Sequence, residues 1–143
     1  MVLAVADASV VTKWFLEEAY STPARRLRDD FLEGILRLRA PSLLPFEVMN
    51  ALRFHGRFPR RSLPEAARGL DRAGIVTVPL FGEYLDRTID ASTRLDLTIY
   101  DASYFALAEL EQCTLYTADE EILGLGSHRP SIVHIREYAS EAD

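Results

Sequence analysis

Four carboxylates in this chain fall where helices are expected to begin: Asp7, Glu47, Asp101 and Asp119. Asp7 and Asp119 follow short apolar segments, Glu47 lies in the helical turn after an extended stretch, and Asp101 closes Thr98-Ile-Tyr-Asp101. Each has a local role. An acid in a first helical turn complements the helix dipole by ~0.3–1 kcal/mol. Asp7 and Asp119 suit N-cap positions, and Asp101 pairs with Thr98 in a capping pattern. The local roles explain the helix starts, but not why the acids have no compensating lysines: Lys13 is the chain's single lysine. In open α/β sheets, sites form beyond the carboxyl ends of strands where the strand order reverses, so acids distant in sequence converge there. Converging carboxylates repel, and a divalent cation relieves the repulsion. Hard oxygen donors without soft ones suit Mg²⁺ or Mn²⁺.

Other chemistries have no matching residues. His55, His128 and His134 are widely spaced, and Cys113 is the single cysteine, so no zinc set is expected. No glycine-rich or Gly-Lys-Ser/Thr phosphate loop is present. Ser9, Ser42 and Ser103 lack a nucleophile-elbow setting. A receiver-type phospho-acceptor needs paired acids after the first strand and a lysine after the fifth. A haloacid-dehalogenase phosphatase needs Asp-x-Asp, where this chain has Asp7-Ala-Ser9.

The elements that must hold the acids follow from periodicity and punctuation. Leu3 to Ala6 reads as a buried strand, followed by a helix from Ala8 to Leu16. Thr22-Pro23 opens a second helix, expected to reach about Arg39 because Leu27, Phe31, Ile35 and Leu38 recur at helical spacing. Ala40 to Ser42 reads as a brief strand, and Pro45 starts the helix that carries Glu47. Gly56 to Arg61 is a basic loop. Ser62-Leu-Pro-Glu65 is a capping box opening a helix that Gly74 ends. A third strand spans Ile75 to Val78, and helices follow from Phe81 to about Arg94 and from Thr98. Thr114 to Tyr116 is the fourth strand, a short helix begins near Asp119, and Ile132 to Ile135 is the fifth strand. The alternation predicts an α/β three-layer sandwich: a mostly parallel sheet of about five strands with helices on both faces.

The 143 residues fit one domain, 1–143, with a polar tail from about residue 137. Apolar residues are 48% and charged residues 27%, enough for a core and against disorder. No apolar run approaches the ~20 residues that span a bilayer. Asp7 interrupts the first apolar run, and no basic region precedes it, which argues against a signal peptide. One cysteine and no membrane segment fit a cytoplasmic protein. The net charge of −6 alone argues against nucleic acid, but Arg53, Arg57, Arg60 and Arg61 cluster around His55 and Phe58 as a candidate RNA-backbone patch.

At this point the chain resembles a PIN domain, and specifically the VapC toxin ribonucleases of toxin–antitoxin pairs. The matching stretches are Val5-Ala-Asp7-Ala-Ser9, Glu47-Val-Met-Asn50-Ala-Leu52, Leu97-Thr-Ile-Tyr-Asp101-Ala-Ser-Tyr-Phe-Ala-Leu-Ala108 and Tyr116-Thr-Ala-Asp119. They run in the same order, from the first strand to the fourth. The resemblance implies divalent-metal-dependent cleavage of RNA by a type II toxin, homodimers, and inhibition by a small VapB-like antitoxin. By position, Asp7, Glu47, Asp101 and Asp119 are the metal-site acids, with Ser9, Thr117 and Asn50 as polar supports. Asp7, Asp101 and Asp119 are assigned as ligands, and Glu47 as a ligand or as the base that orients water. Asp96 stands where relatives often have a small residue. The competing readings are a non-catalytic module keeping the fold and another acidic-site α/β phosphotransfer protein.

A partner surface is expected from surplus apolar residues. Leu32 and Leu36 widen the stripe of the second helix, Trp14, Phe15 and Leu16 are consecutive, and Phe54 and Phe58 lie at the end of the Glu47 helix. Together they suggest a groove for an amphipathic helix.

Overall fold

The computed structural model describes residues 2–125 and 130–139. Its sheet has five parallel strands: β1 (Val2–Ala6), β2 (Leu36–Pro41), β3 (Val76–Val78), β4 (Thr114–Thr117) and β5 (Ile132–His134). Their order is β3-β2-β1-β4-β5, so the chain winds outward from β1 and then crosses to its other side. The order reverses between β1 and β4, which places the ligand crevice of this architecture at their carboxyl ends. Ala4, Val5 and Ala6 are buried consecutively. Successive strand residues face opposite ways, so both faces of β1 are covered.

The helices are α1 (Ala8–Val11), α2 (Ser21–Leu32), α3 (Leu44–Phe54), α4 (Leu63–Ala73), α5 (Gly82–Leu95), α6 (Ile99–Glu111) and α7 (Glu120–Leu123). Helix α6 is buried without a break from Ala102 to Ala108, packed on β1, β2 and β4 and against α5. A helix apolar all round belongs inside a protein. No described helix is long and apolar enough to cross a membrane.

Several expected boundaries move, each for a local reason. Helix α2 stops at Leu32 rather than Arg39. Gly34 takes a left-handed φ of 80°. Its amide donates to the Phe31 carbonyl at 3.1 Å and that of Ile35 to Asp30 at 2.8 Å, the paired bonds of a Schellman cap. The apolar residues beyond the cap belong to β2. Leu36, expected on the helix surface beside Leu32, is therefore a core strand residue, 3% exposed and paired with Val2. The first helix ends at Val11 and tightens into a 3₁₀ turn over Thr12–Trp14. Trp14 and Leu16 are buried there, and Phe15 is half-buried against α4 near Gly69.

Ser62 makes no side-chain cap bond; a 3₁₀ turn over Arg60–Ser62 leads into α4 instead. Tyr138, inside the expected polar tail, is buried, and its hydroxyl donates to the Asp30 carboxylate. Residues 140–143 of that tail and His128 lie outside the described residues. Asp96 caps α5 with a left-handed φ of 54°. That conformation favours small residues, and Asp tolerates it.

Candidate metal centre

The β1–β4 register pairs Ala6 with Tyr116, which sets Asp7 beside Thr117 one residue further on. Thr117 Oγ1 donates to Asp7 Oδ2 at 2.5 Å. Ser9 Oγ, on the first turn of α1, donates to Asp7 Oδ1 at 2.5 Å. The Val10 amide completes the set at 3.3 Å, so Asp7 is also the N-cap of α1. The two hydroxyls carry the lattice onward: Ser9 Oγ accepts from the Ala118 amide at 2.8 Å, and Thr117 Oγ1 from the Asp119 amide at 2.9 Å. Asp119 in turn caps α7 through the Glu121 amide at 2.8 Å. Asp7 and Asp119 thus flank the point where the strand order reverses.

Glu47 comes from the first turn of α3, after β2, and Asp101 from the first turn of α6, capped by Thr98 at 3.0 Å. Tyr104 lies one helical turn beyond Asp101, and its hydroxyl donates to Glu47 Oε1 at 2.6 Å. Tyr104 was not among the residues singled out from sequence. Its signal was the i, i+3 spacing from Asp101, which puts both on one helix face.

The electrostatics tie the acids into one group. Burial raises the Asp7 carboxyl from 3.8 to about 6 against the opposing pull of the Ser9 and Thr117 bonds, and Asp119 adds to the rise. Glu47 is raised by burial and by Asp101, and Asp101 by burial and by Asp119. Among the described residues, no three His, Cys, Asp or Glu side chains stand close enough to hold one ion as they are placed. The spacing accords with carboxylates that repel and keep their hydrogen bonds to Ser9, Thr117 and Tyr104. The donor chemistry, all carboxylate with hydroxyl supports, is that of a hard divalent cation.

The other residues singled out from sequence divide. Asn50 is exposed on α3. Arg53, Arg57, Arg60 and Arg61 are all exposed, and Phe58 is partly buried against the core. Trp14, Phe15 and Leu32 line one groove of about 420 Å³ together with Gly69 and Ala73 of α4. Leu32 is 57% exposed there; Leu36 and Phe54 are not among the groove's lining residues.

Two expected results follow from this geometry. A carboxyl whose folded pKa lies above its unfolded value favours folding most when protonated. The Asp7 contribution is complete below about pH 4 and is lost as pH rises through about 6, at most ~3 kcal/mol across the window. His134, lowered chiefly by burial, slopes the other way. It is common to wild type and Asp7→Asn, so the difference between their metal-free urea midpoints, followed from pH 4 to 7, isolates Asp7. A pH-independent difference would contradict the assignment. For Tyr104→Phe, Glu47 loses a donor to its charged form. Its carboxyl should titrate higher still by NMR, with a stability loss of about 1 kcal/mol.

The sequence profile of the PIN domain matches residues 4–126. A VapC ribonuclease of Mycobacterium bovis is 33% identical over 93 residues, covering 63% of this chain and 71% of that protein. A crystal structure of a Pyrobaculum aerophilum protein superposes with a TM-score of 0.65 at 26% identity, covering 94% of this chain and 90% of that one. The fold is also that of a chain in a Klebsiella pneumoniae toxin–antitoxin complex, at a TM-score of 0.66 and 16% identity, covering 94% and 99%.

Proposed function

The chain belongs to the PIN domain family, and on that premise we propose that it is a metal-dependent endoribonuclease of the VapC kind, the toxin of a type II toxin–antitoxin pair. The observation that carries the reading is the buried Asp7 carboxylate, held by Ser9 and Thr117 and coupled to Asp119 at the point where the strand order reverses. Glu47 and Asp101 approach from two further helices. Asp7, Asp101 and Asp119 would hold Mg²⁺ or Mn²⁺, with Glu47 as a further ligand or as the base that orients water. A cation bound there supplies Lewis-acid polarisation of the phosphodiester and an acidified water. The chain's own part is positioning. Ser9 and Thr117 fix the Asp7 carboxylate, Tyr104 fixes Glu47, and the α1, α6 and α7 starts keep the acids from turning away. Phosphoryl transfer asks little covalent work of a protein, so orientation and charge placement account for the chemistry.

The groove at Trp14, Phe15 and Leu32 suits the apolar face of an antitoxin helix. A second copy finds apolar area along the edge strand β3 and its following turn, at the exposed Val76, Leu80 and Phe81. The family's setting, like the lone cysteine, fits the cytoplasm.

Two measurements test the proposal together. Purified chain should cleave RNA with Mg²⁺ or Mn²⁺ and stop with a chelator. Because the cation binds the folded state alone, it should raise Tm, with a stabilisation of ~2.7 kcal/mol at a hundredfold excess over Kd. No cleavage and a flat Tm across a wide titration of both metals would count against the site.

A further inference from the structure

Two buried tyrosines bracket the start of α6. Tyr104 is 4% exposed and lies one turn beyond Asp101. Its hydroxyl leaves the helix for α3 and donates to Glu47 Oε1 at 2.6 Å, the length of a bond to a charged acceptor. Glu47 Oε2 has no hydrogen-bond partner among the described residues. Behind Tyr104, the Ser103 carbonyl accepts from the Tyr84 hydroxyl of α5 at 2.7 Å. Tyr84 is buried as well, and its own carbonyl accepts from Thr88 Oγ1 at 2.8 Å. Ser103 Oγ donates to the Tyr100 carbonyl at 2.6 Å. The turn that carries Asp101 is thus held from α5 and reaches across to α3.

A buried phenol needs an acceptor, and packing alone would account for finding one. The choice of acceptor separates the two rings. Tyr84 takes a backbone carbonyl of the neighbouring helix, the ordinary solution. Tyr104 takes a carboxylate on a third element, 57 positions away. Burial, and then the Glu47 and Asp7 carboxylates, push the Tyr104 phenol far above its ordinary value, so it stays a donor. We propose that Tyr104 is a positioning residue for the cleavage and that Tyr84 is the brace behind it. The proposal rests on the ribonuclease reading and says how Glu47 is kept to one free oxygen. Glu47 is half-buried, long and repelled by Asp101. Untethered, it swings toward solvent. Tethered at Oε1, it keeps Oε2 as the one oxygen that can serve the reaction, the kind of support that outer groups give to a metal site. Tyr84 acts one step further back. By engaging the Ser103 carbonyl it fixes the rotation of α6 about its axis, on which the directions of both Asp101 and Tyr104 depend.

The test separates holding from packing. Wild type, Tyr104→Phe and Tyr84→Phe are crystallised in chelator, and each is assayed for RNA cleavage with Mg²⁺ well below its Tm. Phenylalanine keeps each ring and removes only the hydroxyl. In Tyr104→Phe the Glu47 carboxylate should leave its place, while Asp7, tied to Ser9 and Thr117, should stay. The kcat of Tyr104→Phe should fall at least about tenfold with KM unchanged. Glu47→Asp keeps the charge but draws it a methylene short of Tyr104, so Tyr104→Phe should cost nothing further in that background. Tyr84→Phe should lower kcat in the wild-type background and not in Tyr104→Phe. An unmoved Glu47, or equal losses in both backgrounds, would overturn the positioning role. So would variants that lower Tm and leave kcat alone, the mark of packing. Failure of the wild type to cleave would sink the ribonuclease reading by itself, and the crystal comparison would still decide whether Tyr104 holds Glu47. Cleavage by Tyr104→Phe at the wild-type rate would keep the nuclease and remove the tyrosine from its machinery.

Discussion

Asp7→Asn should abolish RNA cleavage and leave the chain folded. The carboxylate is the most buried of the four acids, and its two oxygens are committed to Ser9 and Thr117. Asparagine keeps the shape but removes the charge that attracts a cation, and it presents one acceptor where there were two. Even residues that only support a metal ligand cost about 10–100-fold when removed, so loss of the central acid should cost at least ~100-fold in rate. Stability should move the other way. At pH 7 the metal-free wild type holds Asp7 ionised in a buried site, above its pKa of about 6. The neutral amide is relieved of that penalty, less whatever the Ser9 and Thr117 hydroxyls lose in reorienting, for a net gain of up to ~2 kcal/mol. A cleavage time course with Mg²⁺ and a circular-dichroism melt in chelator check both halves. Wild-type cleavage by Asp7→Asn would remove Asp7 from the site. Inactivity accompanied by unfolding would say nothing about metal, and the rise in melting temperature is what separates the two.

Leu36→Glu should leave no folded protein, whereas Leu32→Glu should fold normally and lose affinity for the proposed antitoxin. The residues are four apart, and on a helix they would share a face. The Schellman cap at Gly34 separates them instead. Leu36 lies on β2 between covered faces, and Leu32 stands 57% exposed at the groove with Trp14 and Phe15. A carboxylate at Leu36 has no partner in the core. Its burial cost, several kcal/mol, is comparable with the whole stability of ~5–15 kcal/mol that a domain of this size has. At Leu32 the expected stability change is within ~0.5 kcal/mol. Its effect should appear in affinity, where truncating an apolar anchor costs upward of tenfold. Soluble expression and urea midpoints read the first half, and titration with a VapB-like antitoxin reads the second. Folded Leu36→Glu would contradict the β2 assignment. Unchanged partner affinity of Leu32→Glu would move the docking surface elsewhere.

The misplacement of Leu36 shows where reading the chain fails. Leu27, Phe31, Ile35 and Leu38 fit a helical stripe through the cap, because buried strand and buried helix both demand apolar residues and differ only in period. Gly34 marked the break, but an isolated glycine is tolerated within a helix at a cost of about 1 kcal/mol, so its presence alone does not end one. Packing Leu36 and Leu38 against β1 outweighs the few further helical turns available to them. The same limit governs Trp14, Phe15 and Leu16: three successive apolar residues specify burial, and the 3₁₀ turn that accommodates them follows from contacts with α2 and α4.

Helix starts depend on a handful of neighbouring residues, so the places of Asp7, Asp101 and Asp119 were legible directly: each sits within three residues of the group that caps or is capped by it. The α/β class was legible for the same reason, since the strand and helix periods are local. Strand order and register were not, because they are chosen by packing among segments far apart in the chain. The Thr117–Asp7 bond spans 110 positions and the Tyr104–Glu47 bond spans 57. Those two contacts, and the burial that lifts Asp7 to about 6, come from the pairing of Ala6 with Tyr116 and the seating of α6 against the sheet. Residue types therefore declared which acids were available. Which of them is buried, what holds it and which neighbours it repels were set by side chains that meet only when the core closes around β1.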